Sequence, residues 1–112
     1  MVCWIPLLDC MKENGTIYIC EGSHKEGLLN TTREKKKDNS ETTRISVPED
    51  YVNKYESKIV EANQGDAVLF NMLLFHRSGQ NTSDKVRFTI QNRIHVASAD
   101  DFIPFDIINH YS

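Results

Sequence analysis

The stretch "VCWIPLLDCMKENGTIYIC", from Val2 to Cys20, decides the fold class. Its first eight residues are mainly apolar, which is typical of a buried strand. Asn14-Gly15 is a strong hairpin signal, and the β-branched and aromatic residues of "TIYIC" then favour a returning strand. The stretch therefore predicts two antiparallel strands joined by a turn.

Further short strands are indicated downstream. The segment "AVLF" follows a Gln-Gly-Asp turn and predicts another buried strand, continued or closely followed by "MLLFH". "VRFTIQNRIHVAS" alternates, with Val86, Phe88 and Ile90 on one face. Its polar residues Arg87, Thr89 and Gln91 take the other face. Apart from one short helical turn after Pro48, little helix is expected. Short strands at hairpin spacing predict an all-β, mainly antiparallel sandwich or jelly roll.

Length and composition set the domain organisation. The 112 residues suffice for a single domain, predicted to span 1–112. The segment 31–44, "TTREKKKDNSETTR", holds no apolar residue. Because such a segment has nothing to bury, we expect an exposed polar loop at about 30–44.

Charge and cysteine content exclude several classes of protein. The formal net charge of −3 argues against a nucleic-acid partner, which requires a basic surface. Cys3, Cys10 and Cys20 are odd in number and form no paired motif, which favours reduced thiols and a cytoplasmic protein. The apolar start of the chain is too short for a signal segment or a membrane span, so no membrane partner is expected.

The segment "FHRSGQNTSDKVRF", 75–88, carries the candidate site. His76 and Arg87 lie eleven residues apart at the two ends of what the pattern predicts to be a hairpin. A histidine after an apolar run is most often structural, and an arginine on an alternating strand most often faces solvent. Taken together they allow a sharper interpretation: an imidazole ligand for iron, and a guanidinium that binds a carboxylate, assisted by Ser78.

Two segments resemble the phytanoyl-CoA dioxygenase family. "WIPLLDCMKENGTIYICEGSHKEG" is similar to that family's tryptophan strand, Asn-Gly turn, second strand and Gly-Ser-His-Lys loop. "GDAVLFNMLLFHRSGQNTSDKVRF" is similar to its distal segment, with the histidine, the Ser-Gly-x-Asn turn and the arginine in the same order and spacing. The resemblance implies a double-stranded β-helix (cupin-like) fold and an Fe(II)- and 2-oxoglutarate-dependent oxygenase.

The resemblance also implies residue roles. His76 becomes the distal iron ligand, and Arg87, assisted by Ser78, holds the far carboxylate of 2-oxoglutarate. Trp4 matches a tryptophan that lines the cosubstrate pocket in some members. No catalytic residue beyond the metal site is implied. Three further positions match non-ligand positions: His24 in the loop, Asn71, and Gly65-Asp66 as the turn into the strand that bears His76.

The His-x-Asp motif that supplies the family's other two iron ligands is absent from the 112 residues. The chain is therefore expected to lack the N-terminal part of the β-helix. Three explanations are compatible with that: a fragment of a complete oxygenase, a shortened relative without catalysis, or a barrel completed by a second chain. We favour the fragment, because cosubstrate binding requires His76, Ser78 and Arg87 whereas packing does not.

The resulting functional hypothesis is a dioxygenase that hydroxylates a small organic or acyl substrate with molecular oxygen. The alternative is a non-catalytic cupin-like binding or interaction module. A plain structural β-domain would have no affinity for 2-oxoglutarate. A jelly roll without its early strands would leave sheet edges open, so self-association through those edges is also expected.

Overall fold

Eight short strands dominate the computed structural model, which describes residues 1–30, 32–35, 43–96 and 98–100. The strands are β1 Val2–Pro6, β2 Ile17–Cys20, β3 Thr32–Lys35, β4 Thr43–Ser46, β5 Ser57–Val60, β6 Val68–Phe70, β7 His76–Ser78 and β8 Thr89–Arg93. The helical elements are a 3-10 turn, Ser23–Glu26, and one turn of α-helix, α1, at Glu49–Val52. Every ladder is antiparallel, so the prediction of an all-β, mainly antiparallel fold is confirmed.

Two three-stranded sheets form the body of the protein. The first sheet has the order β6-β1-β8, and the second sheet has the order β5-β2-β7. β3 and β4 form a separate two-stranded ladder. β1 and β2 lie in different sheets, and β5, β6, β7 and β8 alternate between the two sheets, so the arrangement is that of a sandwich of the cupin-like type.

The hydrophobic core lies between the two sheets. Its buried members are Val2, Trp4, Cys10, Ile17, Ala62 and Phe70. Ile19 and Val60 of the second sheet, Val68 of the first sheet and Leu74 pack against this cluster. Every second residue of β1 is buried, as the period of two in a strand requires.

The hairpin predicted for β1 and β2 is wrong. β1 pairs with β6 and β8, whereas β2 pairs with β5 and β7, so the chain crosses from one sheet to the other between them. Asn14-Gly15 does form a turn, with φ of +81° at Gly15. The same turn chemistry serves a hairpin or a crossing between sheets, and the sequence alone does not distinguish them.

The expectation of a loop over 30–44 also needs correction. Thr32–Lys35 and Thr43–Ser46 pair in register, from Thr32 opposite Ser46 to Lys35 opposite Thr43. An antiparallel ladder satisfies backbone hydrogen bonds without requiring a buried face, so a polar composition does not prevent it. Residues 31 and 36–42 of that segment lie outside the described residues.

The apolar positions of the later strands are less buried than the sequence indicated. Leu69 in β6 is 60% exposed although its neighbour Phe70 is buried. Along β8 the predicted alternation is present, but Phe88 and Ile90 are 56% and 44% exposed while Arg87 is half-buried. The arginine side of this strand therefore faces the core, and the apolar side faces away from it.

The helical content is small. α1 comprises four residues, and it is the single helical turn expected after Pro48. Within the part of the chain that the structure describes, no helix is long and apolar enough to cross a membrane. The apolar start of the chain is strand β1.

Candidate functional site

The ladder between β2 and β7 decides which way the candidate site residues point. His76 lies opposite Ile19, and Ser78 lies opposite Ile17. Directly opposed residues of an antiparallel pair share a face, and Ile17 belongs to the core. His76 and Ser78 therefore point between the sheets, whereas the intervening Arg77 points outward.

Arg87 reaches the same space from the other sheet. It precedes β8, and its guanidinium donates one hydrogen bond to the Ser78 hydroxyl at 3.2 Å and another to the Gly15 carbonyl. The side chain is half-buried. The sequence predicted His76 and Arg87 on one hairpin, but β7 and β8 belong to opposite sheets. The structure thus brings Arg87 and Ser78 together across the sandwich.

His76 has a defined orientation. Its Nδ1 lies 2.8 Å from the Leu74 carbonyl, and its ring packs against Phe70 with 5.1 Å between centroids. A carbonyl accepts only, so Nδ1 is the donor in this contact, and Nε2 is the ring nitrogen that remains for a ligand. A neutral imidazole oriented by a backbone carbonyl is the usual arrangement of a histidine metal ligand. The exposed ring is accessible to a ligand.

Ser23 positions the start of β7, which sequence reasoning missed. This serine is fully buried; its hydroxyl donates to the Cys20 carbonyl at 2.7 Å and accepts from the Phe75 backbone N–H at 2.8 Å. It therefore ties the loop after β2 to the residue that precedes His76. A serine between glycine and histidine resembles an ordinary loop residue, and nothing in the sequence marks it as buried.

A tight backbone contact fixes the other end of β7. The Gly79 N–H donates to the Thr16 carbonyl at 2.7 Å. A Cβ at Gly79 would lie 2.9 Å from that carbonyl oxygen and 2.9 Å from a ring carbon of Tyr18. Asn81 then closes the following turn, since its amide donates to the Lys85 carbonyl at 2.6 Å. This turn returns the chain toward Arg87.

The other residues matched by the resemblance lie in other elements of the fold than β7. Trp4 is 4% exposed and packed in the core on the inner face of the first sheet. His24 is half-buried in the 3-10 turn, and Asn71 is exposed and accepts a hydrogen bond from the Leu73 N–H. Gly65-Asp66 leads into β6, whereas His76 begins β7. The prediction that this turn enters the strand bearing His76 is therefore wrong.

The electrostatics of the site centre on Arg87. Burial raises the pKa of the Cys10 thiol, and the positive charge of Arg87 opposes that rise. No carboxylate forms an ion pair with Arg87 among the described residues.

The donor set fits one part of an iron and 2-oxoglutarate site. His76 offers one imidazole nitrogen, and Arg87 with Ser78 offers donors for a carboxylate. Among the described residues, no group of three or more histidine, cysteine, aspartate or glutamate side chains could hold a metal ion. A facial triad requires three protein ligands, and His76 is the one candidate among the residues named here.

Comparisons with known proteins define the class. The family model described as phytanoyl-CoA dioxygenase (PhyH) matches residues 1–89. The chain therefore belongs to the phytanoyl-CoA dioxygenase family. No solved structure matches the chain.

A curated relative is the "Phytanoyl-CoA dioxygenase domain-containing protein 1" of Danio rerio. The two sequences are 35% identical over 85 residues, which is 75% of this chain and 29% of that protein. The chain thus spans less than a third of the length of the relative. Proteins of this family in general depend on Fe(II) and 2-oxoglutarate.

Proposed function

We propose that this chain forms the cosubstrate-binding part of an Fe(II)- and 2-oxoglutarate-dependent dioxygenase that acts on a small organic or acyl substrate. The observation that supports the proposal is the hydrogen bond between Arg87 and Ser78, on the face of β7 that also bears His76. Family membership supports the same class of chemistry.

Arg87 would bind the carboxylate of 2-oxoglutarate that is remote from the metal. A guanidinium has five N–H donors in a planar fork, and the contacts with Gly15 and Ser78 engage one at each terminal nitrogen. The remaining donors suit a carboxylate, and the Ser78 hydroxyl can donate to its second oxygen. Arg87 is half-buried, so reduced competition from water would strengthen its ion pair with that carboxylate.

His76 would supply one metal ligand through Nε2, with Nδ1 held by the Leu74 carbonyl. Iron, when bound, would supply the oxygen chemistry of this class of enzyme. Phe70 packs on the imidazole and limits its rotation. These contacts hold the imidazole ring in one orientation, which favours ligation.

The two remaining ligands would come from outside the residues that the structure describes. The relative from Danio rerio is more than three times longer than the matched segment, since the match covers 29% of it. A longer polypeptide of this family has ample length to contribute them. The activity, the substrate and the use of molecular oxygen are therefore proposed for the longer polypeptide.

The proposal is tested by titrating 2-oxoglutarate into the chain and comparing Arg87→Ala with Arg77→Ala. Arg77 is the matched control because it lies on the outer face of the same strand, stacked on Tyr18. We expect Arg87→Ala to weaken the binding of 2-oxoglutarate about tenfold or more, because hydrogen bonds to charged groups contribute ~1.5–3 kcal/mol. Arg77→Ala should leave the affinity within about twofold.

Equal affinities for the two variants would contradict the proposal, provided circular dichroism shows both folded. Ser78→Ala is a milder second variant, because it removes one hydroxyl and leaves the Arg87 contact with Gly15. It should weaken the binding of 2-oxoglutarate by a smaller factor than Arg87→Ala does.

A non-catalytic binding module is the second candidate, favoured by the incomplete ligand set of the described residues. The two candidates differ in how Fe(II) affects 2-oxoglutarate binding in the longer polypeptide, measured without oxygen. For an oxygenase, Fe(II) strengthens 2-oxoglutarate binding and His76→Ala abolishes the gain. For the binding module, Fe(II) and His76→Ala leave the affinity unchanged.

A further inference from the structure

Ser23 lies at one end of a chain of contacts that reaches His76. Its hydroxyl accepts a hydrogen bond from the Phe75 N–H at 2.8 Å and donates one to the Cys20 carbonyl at 2.7 Å. The side chain is 0% exposed, and hydrogen bonds are stronger where water is excluded. The Ser23 hydroxyl therefore holds the Phe75 N–H in a fixed direction.

The Phe75 N–H belongs to the same peptide group as the Leu74 carbonyl. A peptide group is planar, and in the trans form its N–H and C=O point in opposite directions. Ser23 binds the N–H at one edge of this plane, and His76 Nδ1 lies 2.8 Å from the carbonyl oxygen at the other edge. Because the plane is rigid, the Ser23 hydroxyl also sets the direction of the carbonyl that contacts the imidazole.

The Phe75 side chain is held by the same 3-10 turn that contains Ser23. The Tyr55 ring meets the Phe75 ring edge to face, with 5.8 Å between centroids and 88° between the ring planes. The Tyr55 hydroxyl donates a hydrogen bond to Glu26 Oε1 at 2.7 Å, and Glu26 is the last residue of the turn. The turn therefore anchors both the backbone and the ring of Phe75, which restricts rotation of the peptide plane.

His76 needs this support because its side chain is exposed. An exposed side chain samples several rotamers, and ordering it costs conformational entropy. Two contacts hold the ring, one with the Leu74 carbonyl and one with the Phe70 ring. Phe70 has no polar side-chain atom and cannot distinguish the two ring nitrogens. The carbonyl therefore decides which nitrogen faces the backbone and which remains for a ligand.

We propose that Ser23 is a positioning residue for His76 and acts through the Leu74–Phe75 peptide plane. The hydroxyl fixes the plane, the carbonyl of the plane holds Nδ1, and Nε2 is left for the metal. The proposal rests on the proposed function in one respect, because this orientation serves chemistry only if His76 binds a metal.

NMR of the metal-free 112-residue chain tests the proposal, with Ser23→Ala compared to the wild type. Long-range proton–nitrogen spectra, recorded at a pH where the imidazole is neutral, show which ring nitrogen carries the proton. Nuclear Overhauser contacts with Phe70 show how the ring lies. In the wild type we expect the proton on Nδ1 and a single set of contacts. Ser23→Ala should lose the preference for Nδ1 and weaken the contacts with Phe70.

Thr16→Val is the matched control. The Thr16 hydroxyl is also fully buried, but it bonds to the Val60 carbonyl of β5, and β5 and β7 lie on opposite sides of β2. Thr16→Val should lose stability in urea, as Ser23→Ala does, while the His76 ring keeps its single form. Ser23→Cys is the second variant if Ser23→Ala does not fold, because a thiol fills the buried space and is a weak hydrogen-bond partner. It should change the same signals in the same direction.

Either of two results would overturn the proposal. One is a wild-type His76 ring with its proton on Nε2 or with no preferred nitrogen. The other is a ring that the folded Ser23 variant leaves unchanged, or that Thr16→Val disturbs equally, since a general loss of stability would then be the cause. Failure of the proposed function is recognised separately, by equal 2-oxoglutarate affinities of Arg87→Ala and Arg77→Ala, which these spectra do not measure.

Discussion

At the scale of single residues, two buried hydroxyl groups position the strands that carry the candidate site. Ser23 and Thr16 are fully buried, and each hydroxyl is hydrogen-bonded to a backbone carbonyl. Burying such a hydroxyl is tolerated because its partner satisfies it. These two side chains fix the ends of β2, against which β7 and its histidine are aligned.

Thr16→Val should destabilise the protein. Valine keeps the shape of threonine but leaves the Val60 carbonyl without the Thr16 hydroxyl, so we expect a loss of about 1–3 kcal/mol in the free energy of unfolding. Urea denaturation measures it. Thr82→Val is the control, because the Thr82 hydroxyl is exposed and lies 3.4 Å from its acceptor. If both variants lose the same stability, the buried hydrogen bond is not the cause.

At the scale of elements, the approach of β2 to the turn after β7 is the critical contact. Gly15 and Gly79 meet there, since a Cβ at Gly15 would lie 3.1 Å from the Gly79 carbonyl oxygen. The Arg87 guanidinium donates to the Gly15 carbonyl at the same place. Two of the crossings between the sheets, those after β1 and after β7, are therefore packed together at the candidate site.

Gly79→Ala tests whether this close approach supports the site. Its Cβ would meet the Thr16 backbone and Tyr18, so overpacking should cost about 1–3 kcal/mol. The displacement of the backbone at residue 79 should also weaken the binding of 2-oxoglutarate, because Ser78 is the adjacent residue.

Gly22→Ala is the control for that substitution. Gly22 has φ of +78° and open space around it, so alanine there is strained without a clash, at a cost of ~1–2 kcal/mol. Both variants should lose stability in urea, but only Gly79→Ala should lose 2-oxoglutarate affinity in a titration. Equal affinities would show that the Gly79 contact is merely structural.

At the scale of the whole molecule, stability comes from one small core between two sheets. The described ion pairs, Lys54 with Glu26 and Lys58 with Glu21, are partly or largely exposed and contribute little. Trp4 is the single tryptophan of the chain and lies in the core, so its fluorescence reports on the unfolding of that core.

Phe70→Ala should lower the free energy of unfolding by about 3–5 kcal/mol, which is the usual cost of removing a buried phenylalanine side chain. Phe70 is 9% exposed and also packs on His76. Leu28→Ala, at an 89% exposed position, should change stability by less than about 0.5 kcal/mol. Denaturation followed by Trp4 fluorescence measures both. A loss near zero for Phe70→Ala would place the stabilising core elsewhere.

The sequence by itself determined the class of fold and the family. Alternation, turn residues and the order of the two motifs depend on local spacing, so β1, β2, α1 and the alternating face of β8 were predictable. The same local patterns do not say which strands pair, because an Asn-Gly turn can join two strands of one sheet or cross between two sheets.

Tertiary structure alone decided the pairing, and with it the site. It placed β7 and β8 in opposite sheets, so that Arg87 meets Ser78 across the sandwich rather than along a hairpin. It buried Ser23 and turned Phe88 and Ile90 outward. These outcomes depend on contacts between residues far apart in sequence, and a strand's alternation shows that it has two faces but not which one meets the core.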